Sequence, residues 1–116
     1  MNYLCLIYID DEQVAATPQD EMDTLLAETN VYNDMLREKG HLVSAAGLKP
    51  VQAAVTLRLR QGKLSTTDGS FAETKEVLGG FYVIEARDLN EAIQLAAQSS
   101  SLRIGSVEVR PVDDLI

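Results

Sequence analysis

Tryptophan is absent from this chain, and histidine and cysteine occur once each, as His41 and Cys5. A lone cysteine cannot close an intrachain disulfide, which fits a reducing compartment; within its apolar run Cys5 reads as a small buried hydrophobe. One histidine and one cysteine, far apart in the chain and with no acid clustered beside both, make no donor set for zinc or haem, and no cofactor is expected. Phosphate-cradling glycine loops and the strained serine turn of hydrolases are missing as well. Basic residues are outnumbered 10 to 18 by acids, for a net charge of −8. Arg58, Arg60, Lys63, Lys75, Arg103 and Arg110 are scattered rather than blocked together. Direct binding to nucleic acid, which needs a basic footprint over phosphates, is therefore disfavoured. No apolar run approaches the roughly 18 residues of a membrane span, and no secretory leader pattern follows Met1. A cytoplasmic protein without membrane contact is expected.

What is present suits one globular domain over residues 1–116, with 46% apolar and 24% charged residues. Tyr3 to Ile9 is continuously apolar and too short for a typical helix, so it reads as a buried strand closed by Asp10 and Asp11. Thr17 and Pro18 then predict a helix start, with Thr17 as N-cap and Pro18 in the first turn. Met22, Leu25, Leu26, Thr29, Met35 and Leu36 form its apolar stripe, and Arg37, Lys39 and Gly40 its end. His41 to Leu48 reads as a second strand, ended by Pro50. Val55, Leu57 and Leu59 alternate with Thr56, Arg58 and Arg60, a strand with one buried and one wet face. Gln61-Gly62-Lys63 turns it back into Leu64 to Thr67. Phe81 to Ala86 is a buried strand; Asp88 and Glu91 form a capping box before a helix whose apolar face is Leu89, Ala92, Ile93 and Ala96. Val107 to Arg110 is the last strand.

Strand, helix, strand, hairpin, strand, helix, strand is the order of an α+β, ferredoxin-like split βαβ fold carrying an inserted β-hairpin. Both helices would cover one sheet face. The strands are apolar on the other face too, and no third helix remains to cover it, so a homodimer joined sheet to sheet, a dimeric α+β barrel, is expected.

Between hairpin and third sheet strand lies Asp68-Gly69-Ser70-Phe71-Ala72-Glu73-Thr74-Lys75-Glu76, followed by Leu78-Gly79-Gly80-Phe81-Tyr82. This run, with Gly40-His41, Leu89-Asn90-Glu91-Ala92 and Val107-Glu108-Val109-Arg110-Pro111, resembles the YCII-related, DGPF-domain family over essentially the whole chain. The resemblance implies the dimeric α+β barrel fold, shared with small monooxygenases, isomerases and dye-decolourising enzymes, but no single reaction. It also implies a link to sigma factors and hence to transcription control. Two departures stand out. Ser70 replaces the signature proline, which loosens the turn. The first-helix histidine proposed as catalytic in shorter relatives, where an aspartate pairs with it, has its counterpart near Thr29, so a His/Asp mechanism does not carry over.

The candidate chemistry therefore centres on the motif. Asp68 serves either as a turn residue beside Gly69 or as a general base, with His41 as its proton-shuttling partner if the hairpin brings the two together. His41 otherwise serves the helix C-terminus. Arg58, Phe71, Glu73, Lys75 and Tyr82 are candidate ligand-binding residues; Lys75 or Arg58 would hold an anionic group, and Glu73 and Lys75 are alternatively a solvated loop. No metal site is expected. Three functions follow: a dimer binding a small molecule, an anion among the options, near the motif; a cofactor-independent acid/base enzyme with Asp68 as base and His41 or Tyr82 assisting; and an interaction module acting on a sigma factor.

Overall fold

The computed structural model describes residues 1–69 and 74–114. Its main sheet comprises β1 (Asn2–Asp10), β2 (Leu42–Gly47), β5 (Glu76–Glu85) and β6 (Gly105–Pro111) in the order β2-β5-β1-β6. All three pairings are antiparallel. That is the ferredoxin-like order expected from the sequence. A separate two-stranded sheet, β3 (Val55–Arg60) and β4 (Lys63–Asp68), forms the inserted hairpin. Its turn uses positive φ at Gln61 and Gly62, 51° and 77°, which matches the twist of a tight hairpin.

The helices are α1 (Asp11–Ala16), α2 (Gln19–Glu38) and α3 (Leu89–Ala96). The short α1 is absent from the sequence reading, which took Asp10 and Asp11 only as a strand end. Asp10 is in fact its N-cap, accepting from the amides of Glu12 and Gln13 at 3.0 and 3.4 Å. Thr17 consequently closes α1 instead of opening α2: its amide donates to Val14 O and its hydroxyl to Gln13 O. Pro18 takes the N-cap position of α2, where its missing amide hydrogen costs nothing. Gly40 ends α2 as expected, with φ of +76° and the His41 amide donating back to Leu36 O at 2.8 Å. At α3, Asp88 accepts from Glu91 N at 2.9 Å, while Glu91 reaches back one residue further than a standard box, to Arg87 N.

Strand alternation sends Tyr3, Cys5, Tyr82 and Ile84 toward the helices, where they pack with Tyr32 and Leu36 of α2 and Ala92, Leu95 and Ala96 of α3. Ile93, assigned to the core by spacing, is exposed, and Leu95 takes its place. The opposite sheet face, with Leu4, Leu6, Phe81 and Val83, carries no helix and is only half-buried. The hairpin departs further from expectation. Its apolar side stays open, with Leu57 at 62% and Leu59 at 70% of full exposure, because no described residue of the chain lies over it. The radius of gyration is 16.0 Å, against roughly 13 Å for a compact chain of this length. The hairpin projects as an arm.

Candidate functional site

A cleft of about 350 Å³ opens between the first half of α2 and the sheet. Met22, Leu25 and Leu26 of α2 form one wall, and Ile7 and Ile9 of β1 the other. Its sheet side is kept low by Gly79 and Gly80. The pairing of β1 with β5 slips between Ile7 and Tyr8, so that Ile7 faces Gly80 and Tyr8 faces Leu78, leaving Gly79 as the extra residue of a bulge. A Cβ on Gly79 would run into the Ile9 side chain, and one on Gly80 would stand 3.0 Å from Ala46 O. The Gly-Gly pair visible in the sequence thus keeps side chains out of the space under α2.

The polar side chains of the lining are the hydroxyls of Thr29, Tyr32, Tyr82, Ser99 and Ser101 and the amide of Asn33. Tyr32 of α2 and Tyr82 of β5 sit 7% and 3% exposed, their hydroxyls 3.1 Å apart and their rings edge to face at 83°. The Tyr32 hydroxyl also donates to Leu95 O at 2.9 Å. One turn before Tyr32, the Thr29 hydroxyl donates to Leu25 O at 2.9 Å and lies 3.0 Å from the Ser100 hydroxyl. Burial pushes the Tyr82 phenol far above its ordinary range, reinforced by the neighbouring Tyr32 and Cys5. Burial likewise raises Tyr32 to about 12 and the Cys5 thiol to about 11, each partly opposed by a hydrogen bond with Tyr82. These groups are therefore neutral at physiological pH. Among the described lining residues none carries a formal charge.

Of the residues chosen from sequence, Tyr82 lines this cleft and the other described ones do not. Asp68 ends β4 opposite Val55, exposed; the next residue, Gly69, has φ of +102° and donates its amide to Ala54 O at 2.8 Å, as a turn glycine should. His41 is at the far end of β2 from the hairpin, its Nδ1 2.7 Å from Glu85 O. The hairpin does not bring Asp68 and His41 within hydrogen-bond reach, because β2 runs the length of the sheet between them and the arm leaves from its other end. Lys75 pairs with Asp10 at 3.6 Å, joining the motif to the α1 cap. Arg58 is half-buried on the polar side of the hairpin, and Phe71 and Glu73 lie outside the described residues. Sequence reading passed over Tyr32 and used Thr29 as part of an apolar stripe and as the position near the helix histidine of shorter relatives. Two hydroxyls three residues apart on that stripe were the available signal.

Comparison with known proteins agrees with this architecture. The chain matches the YCII-related domain family over residues 1–116. It is 38% identical over 114 residues to an uncharacterised protein of Rhizobium meliloti (strain 1021), covering 97% of this chain and 92% of that one. Among solved structures it is similar to a 5-chloro-2-hydroxyhydroquinone dehydrochlorinase of Burkholderia phenoliruptrix, in complex with 2,5-dihydroxybenzoquinone. That likeness has a TM-score of 0.57 at 15% identity and covers 97% of this chain and 94% of the other, a similarity of fold. No helix among the described residues is long and apolar enough to cross a membrane.

Proposed function

The chain belongs to the YCII-related domain family, and we propose that it binds a small, uncharged organic molecule in the cleft between α2 and the sheet. The observation that carries this reading is the cleft itself: about 350 Å³, walled by aliphatic side chains, with a few hydroxyls and the Asn33 amide as its polar side chains. Small-molecule sites have this make-up, a mostly apolar concavity with a small number of placed polar atoms. An anion entering it would lose hydration with no cation in the described lining to replace it. The solved fold relative holding a dihydroxybenzoquinone adds support for a small ring compound as the class of ligand.

The acid/base alternative draws less support. General acid–base catalysis needs a group that titrates near the working pH within hydrogen-bond reach of the ligand. The titratable side chains of the described lining, Tyr32 and Tyr82, are both held protonated, as is Cys5 beside them.

A metabolite screen by thermal shift tests the proposal, using the native chain and Ala45→Phe. Ala45 is exposed at the cleft rim, paired with Tyr82 across the β2–β5 ladder, so a phenyl ring there fills the opening without disturbing the core. Ligand-dependent stabilisation should appear in the native chain and vanish in the variant. Stabilisation that survives Ala45→Phe would place the ligand elsewhere.

The open faces support a second part of the proposal, that the protein works as a homodimer. The helix-free sheet face and the apolar side of the hairpin both lack a cover among the described residues, and an isolated two-stranded hairpin is marginal in water. A second copy supplies matching apolar area at any concentration where the first exists. A sigma factor, the other partner considered, would have to displace that copy from the same faces.

A further inference from the structure

We infer that the hydroxyl-lined side of the cleft is built to accept hydrogen bonds from its ligand, which is therefore an uncharged ring compound carrying an O–H donor, as a phenol does. This deepens the cleft reading above and rests on it. A carbonyl cannot donate, so the 2.9 Å contact between the Tyr32 hydroxyl and Leu95 O must contain the Tyr32 proton. Tyr32 then has none left for Tyr82, and the 3.1 Å contact between the two hydroxyls must contain the Tyr82 proton.

The same logic holds one turn earlier on α2. Thr29 lies 2.9 Å from Leu25 O and must donate to it, so Ser100 donates to Thr29 across 3.0 Å. Two relays thus run in parallel, Tyr82 to Tyr32 to Leu95 and Ser100 to Thr29 to Leu25, both ending on helix carbonyls. Tyr82 and Thr29, both among the residues of the cleft lining, have spent their hydroxyl protons inside the protein and offer a ligand only lone pairs. A ligand carbonyl meeting them would set acceptor against acceptor. A ligand hydroxyl would complete them, and burial keeps Tyr82 protonated and neutral at any ordinary pH, so the arrangement does not change with conditions.

The test uses three probes of similar size: phenol, which donates; anisole, the same ring with its donor methylated; and acetophenone, a ring bearing only an acceptor. Affinities are measured by chemical-shift titration against the native chain, Tyr82→Phe and Thr29→Val. Phenol should bind the native chain about tenfold more tightly than anisole or acetophenone, the size of effect one well-placed hydrogen bond gives. In Tyr82→Phe the phenol-to-anisole ratio should fall toward one while anisole binding is kept. Acetophenone binding as tightly as phenol to the native chain would overturn the inference without any variant being needed. So would a phenol preference that persists unchanged in both variants. Failure of all three probes to bind the native chain, or their binding undiminished in Ala45→Phe, would instead remove the cleft reading beneath it.

Discussion

The hydroxyls of Tyr32 and Tyr82, 3.1 Å apart, join α2 to β5 through the middle of the core and at the same time form part of the cleft lining. The pair has a structural cost that shows at high pH. The folded chain keeps both phenols and the adjacent Cys5 thiol protonated, whereas the unfolded chain releases those protons near 10 for tyrosine and 9 for cysteine. Below pH 9 both states hold them and stability is whole. Above its own unfolded value, 9 for Cys5 and 10 for the tyrosines, each group ionises in the unfolded state alone and removes about 1.4 kcal/mol per pH unit until its folded value is reached. That limit is about 11 for Cys5 and about 12 for Tyr32. Thermal unfolding followed by circular dichroism should show a melting temperature that falls steeply across this window, with a shallower slope in Tyr82→Phe. A curve flat through the alkaline range contradicts the buried pair.

The open apolar side of the hairpin makes a prediction about assembly. Leu57 and Leu59 alternate along β3 on the same side as Val55, and Leu64 faces Leu59 from β4. Within one chain a charge there would be nearly neutral, since these side chains are already in water. Leu57→Asp should therefore leave circular dichroism and monomer stability unchanged while abolishing the dimer in light scattering after size exclusion. A native chain that elutes as a monomer at micromolar concentration would defeat the assembly altogether.

Gly105 offers a sharp test of strand packing. It begins β6 opposite Ile9, and a Cβ added there would penetrate the backbone carbonyl of Tyr8, a group that cannot move aside as a side-chain tip can. Gly105→Ala should cost about 1–3 kcal/mol as the β1–β6 ladder shifts to relieve the overlap. Gly47→Ala, at a site with nothing within 4 Å of the added carbon, is the control and should be close to neutral. Equal melting temperatures for the two variants would contradict the close approach.

The fold was largely readable because its signals are local. Gly40 at a helix end, Asp88 before an apolar helical stripe, Gly62 in a tight turn and the apolar run of Tyr3 to Ile9 each act over a few residues. Errors arose where a residue served something other than its nearest element. Thr17 looks like an N-cap but closes α1, a helix that the strand-ending acids concealed. Val55, Leu57 and Leu59 carry a buried pattern, yet burial depends on a covering surface that the described residues of their own chain do not supply. The cleft was the least readable part, since its lining comes from β1, α2, β2, β5 and the segment after α3, brought together only by packing. Gly79-Gly80 is its one clear trace in the sequence, where it stands only as part of the run that resembles the family. The charged motif drew attention instead because charge density is visible in a linear string and an apolar cavity is not.

The motif and the cleft can be separated directly. Asp68 ends the hairpin and Lys75 pairs with Asp10, and neither lines the space under α2. The Lys75–Asp10 pair involves a largely exposed ammonium group, so its loss should cost at most about 1 kcal/mol. The double variant Asp68→Asn, Lys75→Ala should accordingly stay folded and bind a cleft ligand with unaltered affinity. Ala45→Phe should lose that ligand while keeping its stability. If the order is reversed, with binding lost in the double variant and kept in Ala45→Phe, the ligand site lies at the motif. The acid and the lysine would then be its anchors. Affinity falling in both would mean that the motif reaches the cleft from a neighbouring copy, which the monomeric Leu57→Asp chain would reveal by weakened binding of the same ligand.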